Sequence, residues 1–370
     1  MIRVPLIESS NPAAEGQDSQ VQWLSHLLSR PEPILALAPM QEVTDLPFWR
    51  LMAERGGPDI YWTEYFRVHS TSRLEKSILR SLIENPTGRP AIAQIIGNDD
   101  DAMAAAAREL QEYPIAAVDL NLGCPAPVVY RKCAGGGLLR EPHRIDRLLG
   151  RLREAIGRNG VRFTVKTRIG FDSPGMFDSL LKIFARHSLD LLTVHGRTVL
   201  EMYRPPVHYE WIRHAVERMP CPVLANGNVD SPQRAADVLN STGARGLMIG
   251  RGCIRNPWLF DQIRQHRAGR TPHLPTGREV LAYIHDLWRA SEPVNSIERL
   301  QVVHMKRYMN FIGAGISPDP TACEQFLFHI RRATSRNEFF RVCADILDND
   351  QQLTLIPPAA NLQPGELGET

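Results

Sequence analysis

Short apolar runs alternate with longer amphipathic stretches over most of the chain. Eight runs follow one another at intervals of about 30 residues, the spacing of repeated strand–helix units. They read ILALAPM, IYWTEYF, AIAQIIG, AAVDLNLG, RFTVKTRIG, LLTVHGR, CPVLANGNV and GLMIGRG. Helical periodicity lies between them, for example over 100–111, 144–157 and 231–241. The pattern predicts an α/β fold, a (β/α)8 TIM barrel over residues 33–265. No GxGxxG follows the first run, which weakens a doubly wound dinucleotide-binding alternative.

The pattern changes at both ends of the chain. From about residue 271, four amphipathic stretches follow without strands between them, which predicts a small all-helical C-terminal domain over 270–350. Residues 1–32 are interpreted as a polar N-terminal extension with one short helical stretch near 21–28. Residues 353–370 are rich in Pro, Gly and Gln, and this composition predicts a disordered tail.

Composition excludes several classes of protein. The 370 residues carry a formal charge of +2, with 43% hydrophobic and 23% charged residues, which is typical of a globular chain. No apolar run reaches the roughly 18 residues of a membrane span, and no secretion signal pattern opens the chain, so we expect a cytoplasmic protein. Six scattered cysteines without a CxxC pair argue against a metal site and a disulfide scaffold. A local basic face could still bind nucleic acid.

Polar or reactive side chains stand at or just after the end of every apolar run. In a barrel, these carboxyl ends of the strands surround the active site. Each residue taken singly is explained as well by a structural capping role, but eight in succession predict one functional mouth. The side chains are Met40, Glu64, Gln94, Asn121 with Cys124, Lys166 with Arg168, His195 with Arg197, Asn226, and Arg251.

The last two strand ends indicate a phosphate. Asn226, Gly227 and Asn228 follow the seventh run, and Gly250 and Arg251 follow the eighth. Glycine lets backbone N–H groups approach an anion and arginine neutralises it, in the part of a barrel where phosphates commonly bind.

The rest of the mouth suits a flavin. Gln94 can hydrogen-bond an amide edge of the ring, and Lys166 can hold the reduced, anionic ring. Pro39, Met40 and Gln41 would bring backbone and side chain against the ring. Two alternatives stay open: Lys166 as a strand-end lysine paired with an acid, and His195 as a structural histidine instead of a cofactor or substrate ligand.

Taken in order, the motifs resemble the tRNA-dihydrouridine synthase family over roughly residues 34–347. The carrying motifs are APM with Thr44 and Asp45, TEYFRV, DLNLGCP followed by Leu138 and Leu139, VKTRIG, VHGRT, ANGNV and MIGRG. The resemblance implies an FMN-containing barrel, a helical tRNA-binding domain, NADPH as electron donor, and a monomer. It also implies that Cys124, in GCP, is the proton donor. TEYFRV is most similar to the bacterial branch that modifies position 16 of the D-loop.

The implied reaction explains a thiol at this place. Reducing the uracil double bond needs a hydride at one carbon and a proton at its neighbour, and a thiol with an ordinary pKa of about 8.5 is mostly protonated at neutral pH. We expect Asn121, Arg168 and Arg197 to hold the uracil or stabilise its developing charge. The base must leave its stack to reach the site. Lys306 and Arg307, on a basic helix, are expected to contact tRNA phosphates, although a plain solvated helix face explains them equally well.

Three positions depart from the family pattern. Gln41 stands where the family has Gly, Ala or Glu, Asn228 stands where it has an acid, and Cys133 stands where many members have glycine. These differences bear on positioning and substrate choice more than on the reaction. Cys133 is interpreted as structural, and the remaining cysteines as core residues.

Two other functions stay open from the sequence. One is an FMN barrel that reduces a small molecule, which the basic helical domain and GCP disfavour. The other is a non-catalytic RNA-binding module, which Cys124, Gln94, Lys166 and His195 disfavour.

Overall fold

A computed structural model describes residues 12–157, 160–291 and 297–358, with the side chains of 12–17 left out. Within these ranges the chain forms eight strands and fifteen α-helices. The strands are β1 (Ile34–Leu37), β2 (Ile60–Val68), β3 (Ala91–Gly97), β4 (Ala117–Leu122), β5 (Arg162–Arg168), β6 (Leu191–His195), β7 (Val223–Asn226) and β8 (Gly246–Ile249). The helices of the barrel region are α1 (Pro12–Ser29), α2 (Leu46–Glu54), α3 (Lys76–Glu84), α4 (Asp100–Leu110), α5 (Pro127–Tyr130), α6 (Pro142–Ile156), α7 (Phe177–Arg186), α8 (Tyr209–Arg218), α9 (Pro232–Thr242), α10 (Arg251–Arg255) and α11 (Leu259–Arg267). The C-terminal helices are α12 (Gly277–Ser291), α13 (Glu298–Ile312), α14 (Pro320–Arg332) and α15 (Arg336–Leu347).

The eight strands form one closed parallel barrel in sequence order, so the predicted fold is confirmed. Pairing of β1 with β8 closes it, with Ile34 opposite Gly246 and Leu37 opposite Ile249. A Cβ on Gly246 would lie 2.2 Å from the Ile34 carbonyl oxygen, so only glycine allows this seam. The helical stretches predicted at 100–111, 144–157 and 231–241 correspond to α4, α6 and α9.

Two apolar cores stabilise the barrel. The larger one lies between the sheet and the surrounding helices and continues into the C-terminal helices. The smaller one fills the barrel interior, where Trp62, Ile92 and Met248 pack together with Leu24 and Leu27 of α1. Helix α1 therefore plugs the amino end of the barrel, and each buried leucine contributes about 1.5–3 kcal/mol. The predicted extension thus includes a structural element, although residues 1–11 lie outside the described residues.

Polar contacts hold this plug in place. Arg30, just after α1, forms an ion pair with buried Asp59 at 2.5 Å, and Arg264 of α11 reaches the same carboxylate at 3.0 Å. Arg245 donates hydrogen bonds to the carbonyl oxygens of Leu27 and Leu28, the otherwise unsatisfied acceptors at the end of α1. Ion pairs and hydrogen bonds to backbone carbonyl oxygens therefore hold α1 over the amino end of the barrel.

The C-terminal helices pack directly on the barrel. The Tyr308 hydroxyl of α13 donates to the Val43 carbonyl oxygen at 3.0 Å, and its ring stacks on Phe48 of α2. This contact joins the helical domain to the loop after β1. The predicted disordered tail begins at residue 353, where Leu353 and Leu355 are buried; residues 359–370 lie outside the described residues.

None of the described helices has the length and apolar character needed to span a membrane. Among the described residues, no group of three or more His, Cys, Asp or Glu side chains could hold a metal ion.

Candidate active site at the barrel mouth

Cys124 lies two residues after β4, at the carboxyl end of the barrel, on a tightly held loop. The Asn121 side-chain oxygen accepts hydrogen bonds from the backbone N–H groups of Gly123 at 3.0 Å and Cys124 at 2.9 Å. The Gly136 N–H donates to the Cys124 carbonyl oxygen at 3.2 Å. A Cβ on Gly136 would lie 2.9 Å from that oxygen, and one on Gly135 would lie 3.0 Å from the Cys124 Cβ. The glycine run therefore lets the chain fold closely over Cys124.

A buried hydrogen-bond chain connects this loop to the barrel interior. The Asn121 amide donates to the Gln94 side-chain oxygen at 2.8 Å, and the Gln94 amide donates to Asp119 at 2.7 Å. The Thr164 hydroxyl also donates to Asp119. Strands β3, β4 and β5 thus fix the amide of Gln94 in one orientation. Burial raises the pKa of Asp119 to about 6, although the hydrogen bonds from Thr164 and Gln94 oppose this shift.

The Cys124 thiol has polar and cationic neighbours. Burial raises its pKa, and the Ala126 backbone N–H, the Arg168 charge, the Tyr65 hydroxyl and the Lys166 charge act in the opposite direction. Because burial is the largest influence, the thiol stays protonated at neutral pH. A protonated thiol can act as a general acid.

Lys166 and Arg168 project from the end of β5 beside the thiol. Burial, followed by repulsion from Arg168, lowers the pKa of Lys166 to about 8, with Asp119 partly opposing it. Arg168 donates to the carbonyl oxygens of Gly123 at 2.9 Å, and of Thr198 and Met202 at 2.7 Å each. Arg168 therefore braces the Cys124 loop against the loop after β6.

Four more polar side chains meet at the ends of β6, β7 and β8. Asn228 accepts hydrogen bonds through its side-chain oxygen from Arg251 at 2.9 Å and Arg197 at 3.3 Å. Arg197 also lies 3.3 Å from the His195 ring nitrogen Nε2. Burial and the surrounding cations lower the pKa of His195 well below its ordinary value, so the imidazole is neutral. Arg197 is fully buried, and its Nη2 atom has no hydrogen-bond partner among the described residues.

None of these cations forms a direct ion pair with an acid among residues 12–157, 160–291 and 297–358. Asp119, Glu201 and Asp230 act on Lys166, Arg168, Arg197 and Arg251 only from beyond ion-pair distance. A group of buried positive charges is costly unless an anion compensates it. The mouth is therefore built to receive a negatively charged ligand.

The loop after β1 completes the mouth beside the phosphate-type loops. The Met40 backbone N–H donates to the Thr44 hydroxyl at 2.8 Å, which explains why Thr44 accompanies the APM run. The Met40 sulfur would lie 3.0 Å from a Cβ on Gly250, so these two predicted residues are neighbours. Gln41, two positions after Pro39, has a buried side-chain oxygen without a partner among the described residues.

The loop after β7 has the backbone that its glycine predicts. Gly227 has φ +135°, and Asn228 has φ +45°, which asparagine tolerates better than most residues. A Cβ on Gly227 would lie 2.8 Å from Val207 and 3.3 Å from the His195 ring. Asn226 points elsewhere and donates to the Met248 carbonyl oxygen at 2.8 Å, joining β7 to β8.

The two basic residues of the helical domain that are predicted to bind tRNA, Lys306 and Arg307, lie on α13. The Lys306 ammonium group donates to the Arg331 carbonyl oxygen at 2.9 Å, near the end of α14. Arg307 forms an ion pair with Glu42, on the loop after β1. Both residues are thus engaged in contacts within the protein, and Arg307 also joins the two domains.

Several functional neighbours were missed by sequence reasoning. Asp119 looked like an ordinary member of an apolar strand run, although a carboxylate in such a run is itself a signal. Tyr203, on the loop after β6, places its ring 4.8 Å from the Arg251 guanidinium carbon and 5.6 Å from that of Arg168. No local pattern marks Tyr203, because only the folded loop brings it over the mouth.

The other cysteines stand apart from this chemistry. Cys253, Cys323 and Cys343 are buried, whereas Cys221 is half-buried. Cys133 is half-buried with φ +50°, and its sulfur lies 3.8 Å from an Arg140 nitrogen. All six thiols are free.

Comparison with known proteins places this site in a family. Residues 36–310 match the dihydrouridine synthase family. A tRNA-dihydrouridine(16) synthase of Neisseria meningitidis serogroup A is 31% identical over 293 residues, covering 78% of this chain and 88% of the relative. A tRNA-dihydrouridine synthase B of Pseudomonas syringae pv. tomato is 34% identical, covering 75% and 77%.

A solved structure supports the fold alone. Histamine dehydrogenase from Rhizobium sp. 4-9 superimposes with a TM-score of 0.50 at 14% identity, covering 69% of this chain and 48% of that one. The family match covers most of the barrel and part of the helical domain. The chain therefore belongs to the dihydrouridine synthase family of flavin-dependent oxidoreductases.

Proposed function

We propose that this protein reduces specific uridines in the D-loop of tRNA to 5,6-dihydrouridine, with Cys124 as the proton donor. One observation carries the assignment of roles: a protonated thiol held at the end of β4 lies beside buried cations that form no direct ion pair among the described residues. The reaction needs an acid and a place for negative charge, and the mouth offers both. The family match supports the substrate class.

The residues around the mouth fit FMN. Arg251, Asn228 and Gly227 would hold the phosphate, with Arg197 close enough to share that charge through its free Nη2 donor. Gln94, Lys166 and His195 would contact the ring, as would the APM loop with Gln41; Asn226 and Gly250 shape the loops beneath. The orphaned buried atoms of Arg197 and Gln41 are what a bound polar ligand would satisfy. When bound, reduced FMN supplies the hydride.

Contacts of two predicted site residues support roles that differ from those first expected. Arg197 is predicted to bind the uridine, but its contacts with Asn228 and His195 lie on the phosphate side. Asn226 is predicted to bind the cofactor directly, but its side-chain amide supports β8 instead. We therefore propose that Arg197 serves the cofactor and that Asn226 acts through the backbone of its loop.

Cys124 would deliver the proton to the uracil carbon next to the one that receives hydride. The S–H bond breaks, a C–H bond forms, and the electron pair remains on sulfur. Lys166 and Arg168 lie beside the thiol and stabilise the resulting thiolate. Asn121 fixes the loop, and Arg168 keeps Nη2 as a donor toward the uracil carbonyl groups, since its described hydrogen bonds use Nε and Nη1.

The helical domain would hold the rest of the tRNA. Lys306 and Arg307 carry charge at the junction of α13, α14 and the loop after β1, and are proposed to contact phosphates there. Position 16 is proposed from the TEYFRV motif. One relative is named a tRNA-dihydrouridine(16) synthase and the other a tRNA-dihydrouridine synthase B. Their identities to this chain are similar, so sequence identity does not decide between the two types.

Three further parts of the proposal come from the family resemblance. They are NADPH as the electron donor, the cytoplasm as the compartment, and a monomer as the active form. No nicotinamide-binding motif is visible in the sequence.

One experiment tests the function directly. The purified protein is examined for a flavin absorbance spectrum, and the same sample is incubated with NADPH and unmodified tRNA. We expect a yellow protein that forms dihydrouridine at position 16, mapped by mass spectrometry. Product at another D-loop position would correct the position alone. A yellow protein that reduces no tRNA would favour a small-molecule substrate, and a protein that binds no FMN would contradict the assignment of the mouth.

A further inference from the structure

Asp119 lies on β4 in a polar layer beneath the mouth. In the register of the sheet it stands opposite Gln94 of β3 on one side and Thr164 of β5 on the other. All three side chains are buried, and both neighbours donate to the carboxylate, the Gln94 amide at 2.7 Å and the Thr164 hydroxyl beside it. Because alternate residues of a strand face the same way, Asn121 lies one layer higher, toward Cys124.

The hydrogen bonds above Asp119 run in one direction. At the upper end the backbone N–H groups of Gly123 and Cys124 are donors, so the Asn121 atom that faces them must be its oxygen. The Asn121 nitrogen then faces Gln94 and needs an oxygen there, 2.8 Å away. The Gln94 nitrogen is left facing Asp119, whose carboxylate accepts. Two backbone N–H groups and one carboxylate, none of which can reverse, thus fix both amides.

This direction determines what the two amides still offer to a ligand. A side-chain amide has two N–H donors and an oxygen with two lone pairs. The loop uses both lone pairs of the Asn121 oxygen, and Gln94 uses one of the Asn121 N–H groups, so Asn121 keeps one donor and no acceptor. Gln94 keeps one donor and one lone pair. Asn121 is therefore set to address a carbonyl oxygen, a group that uracil carries on both sides of its N3–H.

We propose that Asp119 is a positioning residue for the reaction: its carboxylate anchors the Gln94 and Asn121 amides in the direction that holds the Cys124 loop. This inference rests on the proposed function of Cys124 as proton donor. Without an acceptor at position 119, a buried N–H group of Gln94 has no partner, which is costly. Gln94 then turns or withdraws, Asn121 loses its acceptor, and the loop loosens. Asp119 acts through these two amides and transfers no proton.

Asp119 also acts through its charge, which reaches Lys166 on β5, opposite Asn121. Two substitutions separate this charge from the anchoring of the amides. Asp119→Leu removes both. Asp119→Asn removes the charge and keeps an oxygen that accepts from Gln94, while its nitrogen donates to Thr164, whose hydroxyl turns to accept.

The first measurement follows the loop in the flavin-free protein, without tRNA. Hydrogen–deuterium exchange of the Gly123 and Cys124 backbone N–H groups is measured by mass spectrometry with fragmentation to single residues. We expect exchange about 5- to 10-fold faster in Asp119→Leu, the size expected for loss of one hydrogen bond, and wild-type exchange in Asp119→Asn. Wild-type exchange in Asp119→Leu overturns the inference. Equal acceleration in both variants overturns it too, because the effect then belongs to the charge.

Gln94→Met breaks the same path and leaves the carboxylate of Asp119 in place. It should accelerate exchange of the two loop N–H groups to the same degree, and it provides the test if Asp119→Leu does not fold. Exchange at the wild-type rate in Gln94→Met contradicts a path through this amide.

The matched control is Thr164→Val, in the same buried layer. It removes the other hydrogen bond to Asp119 and leaves the path through Gln94 and Asn121 intact. Urea unfolding should show that Thr164→Val and Asp119→Leu both destabilise the fold, whereas exchange in the Cys124 loop should rise only in Asp119→Leu. Equal acceleration in Thr164→Val indicates a general loss of packing and overturns the positioning role.

A further measurement follows the reaction itself. With saturating FMN reduced beforehand, single-turnover formation of dihydrouridine at saturating tRNA should be about 10-fold slower in Asp119→Leu, corresponding to the loss of one such bond. The tRNA concentration for half-maximal rate should stay unchanged, and Asp119→Asn should recover most of the rate. An unchanged rate in Asp119→Leu overturns the inference. A wild-type protein that makes no dihydrouridine fails the proposed function instead, and the exchange measurement separates the two.

Discussion

At the amino end of the barrel, Arg30 and Arg264 share the carboxylate of Asp59, and Arg245 caps the end of α1 through backbone carbonyl oxygens. At the carboxyl end, Lys166, Arg168, Arg197 and Arg251 gather without a direct ion pair in the described parts of the chain, and acids act on them only at longer range. The two ends use similar side chains, about 20 Å apart by the length expected for strands of this kind. At the amino end an acid of the protein forms direct ion pairs with the arginines, whereas at the carboxyl end no such ion pair is found among the described residues.

This difference separates a structural role from a functional one. Paired charges at the amino end hold α1 over the barrel interior, where Leu24 and Leu27 complete the apolar core. Unpaired charges at the mouth oppose folding and become favourable only when an anion binds. Substitutions at the amino end should therefore change stability, whereas substitutions at the mouth should change binding or catalysis.

The largest effect is expected at the thiol. Cys124→Ala should lower dihydrouridine formation by about 10²–10⁴-fold, because general acid catalysis contributes on that scale. The flavin spectrum and the thermal stability should remain those of the wild type. Single-turnover assays on unmodified tRNA measure the loss, and a variant with the wild-type rate would remove Cys124 from the mechanism.

The next effect should appear at the amino end and leave the mouth intact. Asp59→Ala should lower the free energy of unfolding by about 3–5 kcal/mol, because it leaves Arg30 and Arg264 unpaired around a buried position. It also removes the acceptor of the Leu35 backbone N–H, 2.9 Å away. Urea unfolding measures the change, with Asp59→Asn as the milder control. A loss of flavin without a loss of stability would contradict the assignment.

Arg251→Ala should have a smaller effect than Asp59→Ala, and it should weaken FMN binding instead of destabilising the fold. FMN affinity should fall by about 10- to 100-fold, since hydrogen bonds between charged groups contribute about 1.5–3 kcal/mol. Stability of the flavin-free protein should change little, because the lost hydrogen bond to Asn228 is offset by removal of a buried charge that has no direct ion pair. Fluorescence titration with FMN measures the affinity. Unchanged affinity would place the phosphate elsewhere.

The smallest effect concerns Lys166 and depends on pH. Its pKa is lowered to about 8 in the folded protein from an ordinary 10.5, so protonated Lys166 destabilises the flavin-free fold. Lys166→Met should therefore stabilise the flavin-free protein by about 1–3 kcal/mol at pH 7.

The stabilisation produced by Lys166→Met should depend on pH. The penalty is complete below about pH 8 and declines as pH rises toward 10.5, because folded Lys166 loses its proton before the unfolded chain does. The gain from Lys166→Met should shrink over the same range in urea unfolding measured at several pH values. Equal gain at pH 7 and pH 10 would show that an acid already compensates Lys166.

Much of the barrel could be predicted because strands and helices leave local periodic signals. All eight apolar runs became strands, and their last residues met at one mouth because parallel strands end on the same face. Asn226 was predicted to bind the cofactor, and its side chain donates to the Met248 carbonyl oxygen; a strand-end asparagine can serve a neighbouring strand as well as a ligand. Nothing in local sequence distinguishes those two uses.

The sequence by itself determined the order of strands and helices, the thiol after β4 and the glycines that allow tight loops, because these depend on residue type and local spacing. Only the tertiary structure decided that Asp119 orients Gln94, that α1 plugs the barrel and that Tyr203 lies over Arg251. These contacts join residues far apart in the chain, and their energies depend on burial and distance. Neither quantity exists until the barrel has closed.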